Sequence, residues 1–205
     1  MKSFHEGSGR HLYAIPIPFK FTFFGALREN VTISTEGFLS FKDNGAKIDL
    51  LKLQQVSALR ADFELTKDSD VRYVATDDTL VVEWKDLVLQ NSSTPIKQKR
   101  YHFQVVLAKN NTVTINYIKI PSDFKENIHD HQITSKDSVI AGMSGRSGLD
   151  AMIMSLCPSL RKREEGSPNF WGIFASNSII EFDQNRDSIP IFGSLRHRFT
   201  TTREL

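Results

Sequence analysis

Phe19–Phe41, FKFTFFGALRENVTISTEGFLSF, decides the fold. Phe19, Phe21 and Phe23 fall on one face of an extended segment that breaks at Gly25. Val31, Ile33 and Thr35 repeat the pattern, and after a second break at Glu36-Gly37 it resumes in Leu39 and Phe41. Aromatic and β-branched residues alternating with period two, punctuated by glycine, mark half-buried strands. About three short strands are expected here, with the Phe residues in the core.

Upstream, Ile15-Pro16-Ile17-Pro18 is extended, because each proline steers its predecessor away from the helical region. Residues 1–12 are polar and expected to lack order. Downstream, Ile48 to Arg60 has apolar residues at positions 50, 53, 56 and 59, which predicts a short helix or an irregular loop. Val71–Val74 reads as a strand, and Thr76-Asp77-Asp78 as a turn. In Thr79–Leu89, Leu80, Val82 and Trp84 share a face, but Leu87 and Leu89 have the opposite parity. A bulge at Lys85-Asp86 re-aims the face without ending the strand. Tyr101–Ala108 and Val113–Tyr117 alternate cleanly about an Asn-containing turn, which predicts a hairpin.

Asn91–Pro95 and Pro121–Lys136 read as loops, Ser138–Met143 as a strand, and Ala151–Leu160 is ambiguous. Phe170–Phe174 and Ser178–Phe182 read as closing strands. Eight to ten short strands with regular turns and little helix predict an all-β domain: an antiparallel β-sandwich with long loops and at most one or two short helices. The expected organisation is a disordered stretch over 1–12, one domain over 13–183 and a tail over 184–205.

The chain has 205 residues, 40% hydrophobic and 24% charged, ample for a core without staples. A formal charge of +2 is too weak to imply a nucleic-acid partner. The single cysteine, Cys157, rules out an intrachain disulfide and reads as a small buried hydrophobe. Met1–Arg10 has no apolar segment of a signal peptide, and no apolar run reaches the roughly 18–20 residues of a membrane span. The expectation is a soluble chain, either intracellular or a piece of a longer exported protein.

Catalytic constellations are missing from the sequence. Ser144 and Ser147 each have glycine on only one of the two flanks that a nucleophile elbow needs, so the Gly-rich stretch reads as a turn. His129-Asp130-His131 with Asp123 lacks zinc spacing and reads as a polar loop, while Arg161–Glu165 is a self-cancelling charged loop. Asp62, Glu64, Asp68 and Asp70 form a candidate calcium group, but they lack EF-hand spacing and Lys67 intrudes, so a charged turn is preferred. No cofactor is expected. Asn30-Val31-Thr32, Asn91-Ser92-Ser93 and Asn110-Asn111-Thr112 are glycosylation sequons; Asn91 falls in a predicted loop and Asn110 in the hairpin turn.

Taken together, these blocks resemble the ectodomain of the plexin-domain-containing receptors (tumour endothelial markers), related to the nidogen-type domain. The family's F-x-F-x-F-Y-G start and T-x-G-F are matched by Phe19, Phe21, Phe23, Phe24, Gly25 and Thr35-Glu36-Gly37-Phe38. Leu59–Phe63 (LRADF) follows, then VRY at 71–73 and TLVVEWKDLVLQ at 79–90, which is similar to A-L-V-V-Q-W-D-H-V-x-L-Q. HFQVVL at 102–107 and INYIKIP at 115–121 match the family's next hairpin, and Ile140–Ser144 weakly echoes V-G-L-S-D.

The resemblance implies a non-enzymatic extracellular module of a membrane-anchored receptor or adhesion protein that binds matrix or secreted protein ligands. The family's signal peptide, Cys-rich module and transmembrane helix are not found in these residues, and no motif carries its ligand contacts across. An intracellular β-sandwich enzyme, metal-dependent or carbohydrate-acting and built on the acidic group and the His pair, is the alternative.

Overall fold

A computed structural model describes residues 2–4, 11–23, 25–41, 54–89, 99–121, 140–144, 152–155, 178–183 and 195–199. Among them are fourteen strands and no helix. The first six are β1 (Lys2–Phe4), β2 (Leu12–Phe23), β3 (Ala26–Ser34), β4 (Phe38–Ser40), β5 (Gln55–Arg60) and β6 (Phe63–Glu64). Then come β7 (Asp70–Ala75), β8 (Thr79–Leu89), β9 (Tyr101–Ala108) and β10 (Thr112–Lys119). The last four are β11 (Ile140–Ser144), β12 (Met152–Ser155), β13 (Ser178–Asp183) and β14 (Leu195–Phe199). Two antiparallel sheets result. One has eight strands, ordered β1-β7-β8-β9-β10-β13-β14 with β6 on β8; the other has six, ordered β12-β11-β5-β4-β3-β2.

The core lies between the sheets. Ile15, Ile17, Phe19, Phe21 and Phe23 of β2 are buried, while the residues between them face outward. Phe41 stacks on Phe21 at 5.8 Å and meets Phe23 at 4.3 Å. From the eight-stranded sheet come Trp84 and Phe103, stacked at 5.4 Å, with Phe63 packed against Tyr101 and Phe103. Burying each such ring stabilises by roughly 1.5–3 kcal/mol. Buried hydrogen bonds span the layers as well: Trp84 Nε1 donates to the Ser34 carbonyl at 2.7 Å, and the Tyr117 hydroxyl donates to the Ala58 carbonyl.

Bulges set the faces. Between Trp84 and Leu87 the β8–β9 register shifts by one residue, and Asp86 sits at φ 52°. Leu80, Val82 and Trp84 are therefore buried before the shift, and Leu87 and Leu89 after it. In β5, Ala58 and Leu59, between Ser57 and Arg60, oppose the single residue Ala141 of β11, between Gly142 and Ile140. The amides of Ala58 and Leu59 both donate to the Gly37 carbonyl.

That second bulge corrects the helix-or-loop expectation over the 55–60 part of Ile48–Arg60, which is a central strand, while residues 48–53 lie outside the described residues. Val56 and Leu59 are both fully buried across the bulge, so the three-residue recurrence came from one inserted strand residue, not from a helical turn. Two further corrections concern the ends. Lys2–Phe4, expected to lack order, pairs with β7, because Phe4 stacks on Tyr13 at 4.0 Å and Tyr73 at 5.6 Å. Residues 195–199, assigned to the tail, pair with β13; L-R-H-R-F alternates, a pattern too short to stand out among polar residues.

The hairpin, the Val71–Val74 strand, the turn at Thr76–Asp78 and the strands near 138–143 and 178–182 are where the alternation puts them. The ambiguous segment 151–160 contributes β12. The readings of 91–95, 122–136 and 170–174 as loops or strand lie outside the described residues.

Candidate functional site

Along β7 to β10 the inner positions fill the core and the alternate positions form the sheet's outer face. Arg72 on β7 pairs in register with Glu83 on β8, Glu83 with Gln104 on β9, and Gln104 with Asn116 on β10. A polar row thus crosses four strands. Glu83, within the apolar run Leu80–Trp84, is only 4% exposed.

Its carboxylate is fully engaged. Arg72 Nε donates to Oε2, and His102 Nε2 and Gln104 Nε2 both lie 2.8 Å from Oε1. Burial acts to raise the Glu83 pKa, but the bonds from Arg72, His102 and Gln104, with the charge of Arg72, outweigh it and lower the value to about 2. An ionised carboxylate only accepts, so His102 carries its proton on Nε2. The hydrogen bond to Glu83 raises the Arg72 pKa in turn.

A carboxylate ionised and saturated in this way cannot lend or take a proton near neutrality. It instead fixes Arg72, whose side chain is 31% exposed, and the half-buried His102. Beside them Val74, Val81 and Val106 line up in register on the same face, Val74 being 40% exposed. This polar row was missed in the sequence reading. Its one local signal was a charge inside the apolar run of β8.

The acidic residues singled out from sequence do not converge. Asp62 follows β5, Glu64 is exposed on β6, and Asp68 in the turn after it accepts from Arg100 at 2.8 Å. Asp70 opens β7, accepts from Ser3 Oγ and lies 3.9 Å from Arg72. Among the described residues no group of three or more His, Cys, Asp or Glu is placed to hold a metal ion. Ser144 ends β11; Ser147, Asp123, the His129–His131 pair, Cys157 and Arg161–Glu165 lie outside the described residues.

Two of the three sequons are described. Asn30 is exposed on β3, opposite Pro16, with Thr32 two positions on. Asn110 is exposed at the β9–β10 turn, where its Oδ1 accepts from the Thr112 amide at 3.1 Å. Next to it, Asn111 at φ 64° accepts from the Thr22 amide at 2.8 Å and ties the turn to the edge of β2. Asn91 lies outside the described residues. No helix among the described residues is long and apolar enough to cross a membrane.

The family model described as NIDO related matches residues 5–154. No curated protein and no solved structure matches the chain.

Proposed function

The chain belongs to the NIDO-related family, and from that premise we propose that it is a non-enzymatic extracellular binding module, the ligand-facing domain of a receptor or adhesion-type protein resembling the plexin-domain-containing receptors. Its partner in this reading is a matrix or secreted protein. The parent protein carries a membrane anchor, and Asn30, Asn91 and Asn110 are glycan acceptors.

The family match over residues 5–154 carries the reading. The outer face of the eight-stranded sheet supports it. The Glu83 carboxylate there is committed to positioning Arg72 and His102, and the remaining N–H donors of the Arg72 guanidinium suit an acidic group on a partner. Asn30 and Asn110 are exposed and open to a glycan.

The parent transcript, expressed in cultured cells and followed by surface biotinylation and glycosidase digestion, provides the test. A biotinylated product that shifts on digestion is expected, with Asn30→Gln and Asn110→Gln each removing part of the shift. An unglycosylated product confined to the cytosol overturns the reading. Calorimetric titration with calcium and with zinc separates it from a metal-dependent enzyme, for which binding of either ion is required.

A further inference from the structure

The polar row across β7 to β10 has a direction. Glu83 only accepts, so the Gln104 amide turns its nitrogen to Glu83 Oε1 at 2.8 Å and its oxygen towards β10. There Asn116 Nδ2 donates to Gln104 Oε1 at 3.5 Å, which leaves Asn116 Oδ1 as the row's last acceptor. Opposite Asn116 stands Ile179 of β13, half-buried and with nothing polar to offer. At the other end Arg72 commits only Nε to Glu83, and its terminal nitrogens make no hydrogen bond among the described residues. Asp70, 3.9 Å from Arg72 Nε, faces Lys85 in register, so acid and base balance at that end. The row therefore presents donors at Arg72 and an acceptor at Asn116, three strand spacings or about 14 Å apart. Beside it runs the aliphatic strip of Val74, Val81 and Val106, the first exposed and the others half-buried. The rings of these four strands, Tyr73, Trp84, Tyr101, Phe103 and Tyr117, all pack against the core. No Phe, Tyr or Trp of β7–β10 is thus left on the outer face for a sugar or a nucleobase to stack on.

We propose that this face is the docking surface for a protein partner that meets Arg72 with a carboxylate and Asn116 with a hydrogen-bond donor, with aliphatic side chains between them. Complementarity of charge and of hydrogen-bonding sense carries the choice of occupant. A carboxylate takes the terminal N–H groups of a guanidinium that Glu83 already holds in place, so little side-chain freedom is lost on docking. An acid placed over Glu83 instead meets a saturated carboxylate and is repelled, which fixes the order of acid, aliphatic and donor along the row. In an extended segment laid across the strands, acid and donor fall about four residues apart. The inference deepens the binding-module reading and rests on it for the partner, yet the two fail apart, because docking is measured on the isolated chain whatever its compartment.

The probe is a random peptide library displayed on phage, panned on the full chain and counter-selected on the Arg72→Ala chain. Enriched peptides are expected to carry Asp or Glu about four residues from Lys, Arg, Asn or Gln, with Val, Leu or Ile between. By fluorescence anisotropy, replacing the peptide's acid with alanine should weaken binding to the wild-type chain at least about tenfold and leave binding to the Arg72→Ala chain unchanged. Asn116→Ala should weaken the parent peptide about threefold or more and abolish the preference for a donor. If Arg72→Ala loses its cooperative melt because Glu83 is left unpaired, the Arg72→Ala/Glu83→Gln chain repeats the comparison. No enrichment over the counter-selection, a consensus without a carboxylate, or an acid whose loss weakens both chains alike overturns the proposal. So does a wild-type chain that sediments as a dimer where Arg72→Ala is a monomer, since a second copy then holds the face.

Discussion

At the residue scale, two glycines with similar backbones have different consequences. Gly37 has φ +83°, and a Cβ there would stand 2.3 Å from the Leu59 carbonyl oxygen and 3.0 Å from the Phe103 ring. Gly25 has φ +75° and nothing within 4 Å of its Cβ position. Gly25→Ala should cost only the left-handed strain, about 1–2 kcal/mol. Gly37→Ala adds a clash with the β5 bulge and should cost roughly 3 kcal/mol or more; urea titration of both variants measures the difference. Sequence marked both glycines as breaks, yet only the approach of β5 makes one irreplaceable.

Glu83 carries the pH dependence at this scale. Its pKa falls from 4.5 to about 2 on folding, so its contribution is fully present above about 4.5 and is lost as pH drops towards 2. Glu83→Gln should destabilise by about 1–3 kcal/mol at pH 7, because charge-assisted bonds from Arg72 and His102 are weakened in a buried site. Urea midpoints taken from pH 7 to pH 2 should show the wild-type and variant values converging below about pH 4.5.

At the element scale, β8 shows how one residue governs a strand. Asp86, at φ 52°, is the inserted residue that turns Leu87 and Leu89 inward after Trp84. Insertion of an alanine after Asp86 reverses the parity of both leucines and turns them to the outer face, at a cost of at least about 3 kcal/mol. Asp86→Gly keeps the native bulge and relieves the left-handed strain, so it should be neutral or stabilising by up to about 1 kcal/mol. Thermal melts of the two variants should therefore move apart. This bulge is legible in sequence because the flanking apolar residues on each side preserve their own parity. The bulge in β5 is not, since Val56 and Leu59 three apart fit a helix equally well until β4 and β11 are seen on either side. The edge of β2 is managed by two prolines and by Asn111. The His11 carbonyl accepts from Thr35, so Pro16, of the other parity, places its missing donor on the free edge, and Thr22 further along is capped by Asn111.

At the scale of the whole molecule, the sheets are joined by apolar packing and by buried hydrogen bonds that set their relative position. Tyr117→Phe leaves the Ala58 carbonyl without its side-chain donor and should cost about 1–2 kcal/mol. Trp84→Phe removes the donor to Ser34 together with part of a fully buried ring and should cost more, about 2–4 kcal/mol. A double-mutant cycle by chemical denaturation is expected to show near-additivity, since the two donors reach different strands of the opposite sheet, β3 and β5.

Sequence alone determined that this chain is all-β, that Phe19, Phe21 and Phe23 are core, and that the strand at Thr79–Leu89 changes face midway. Alternation is a local property: side chains two apart share a face whatever the strand's neighbours are. Tertiary structure alone decided which strands lie side by side, because apolar burial is non-directional and many strand orders hide the same residues. It therefore also decided that Arg72, Glu83, Gln104 and Asn116, which come from four separate strands, form one row. And it decided that Lys2–Phe4, too short to register as a strand, is held at an edge by rings from both sheets.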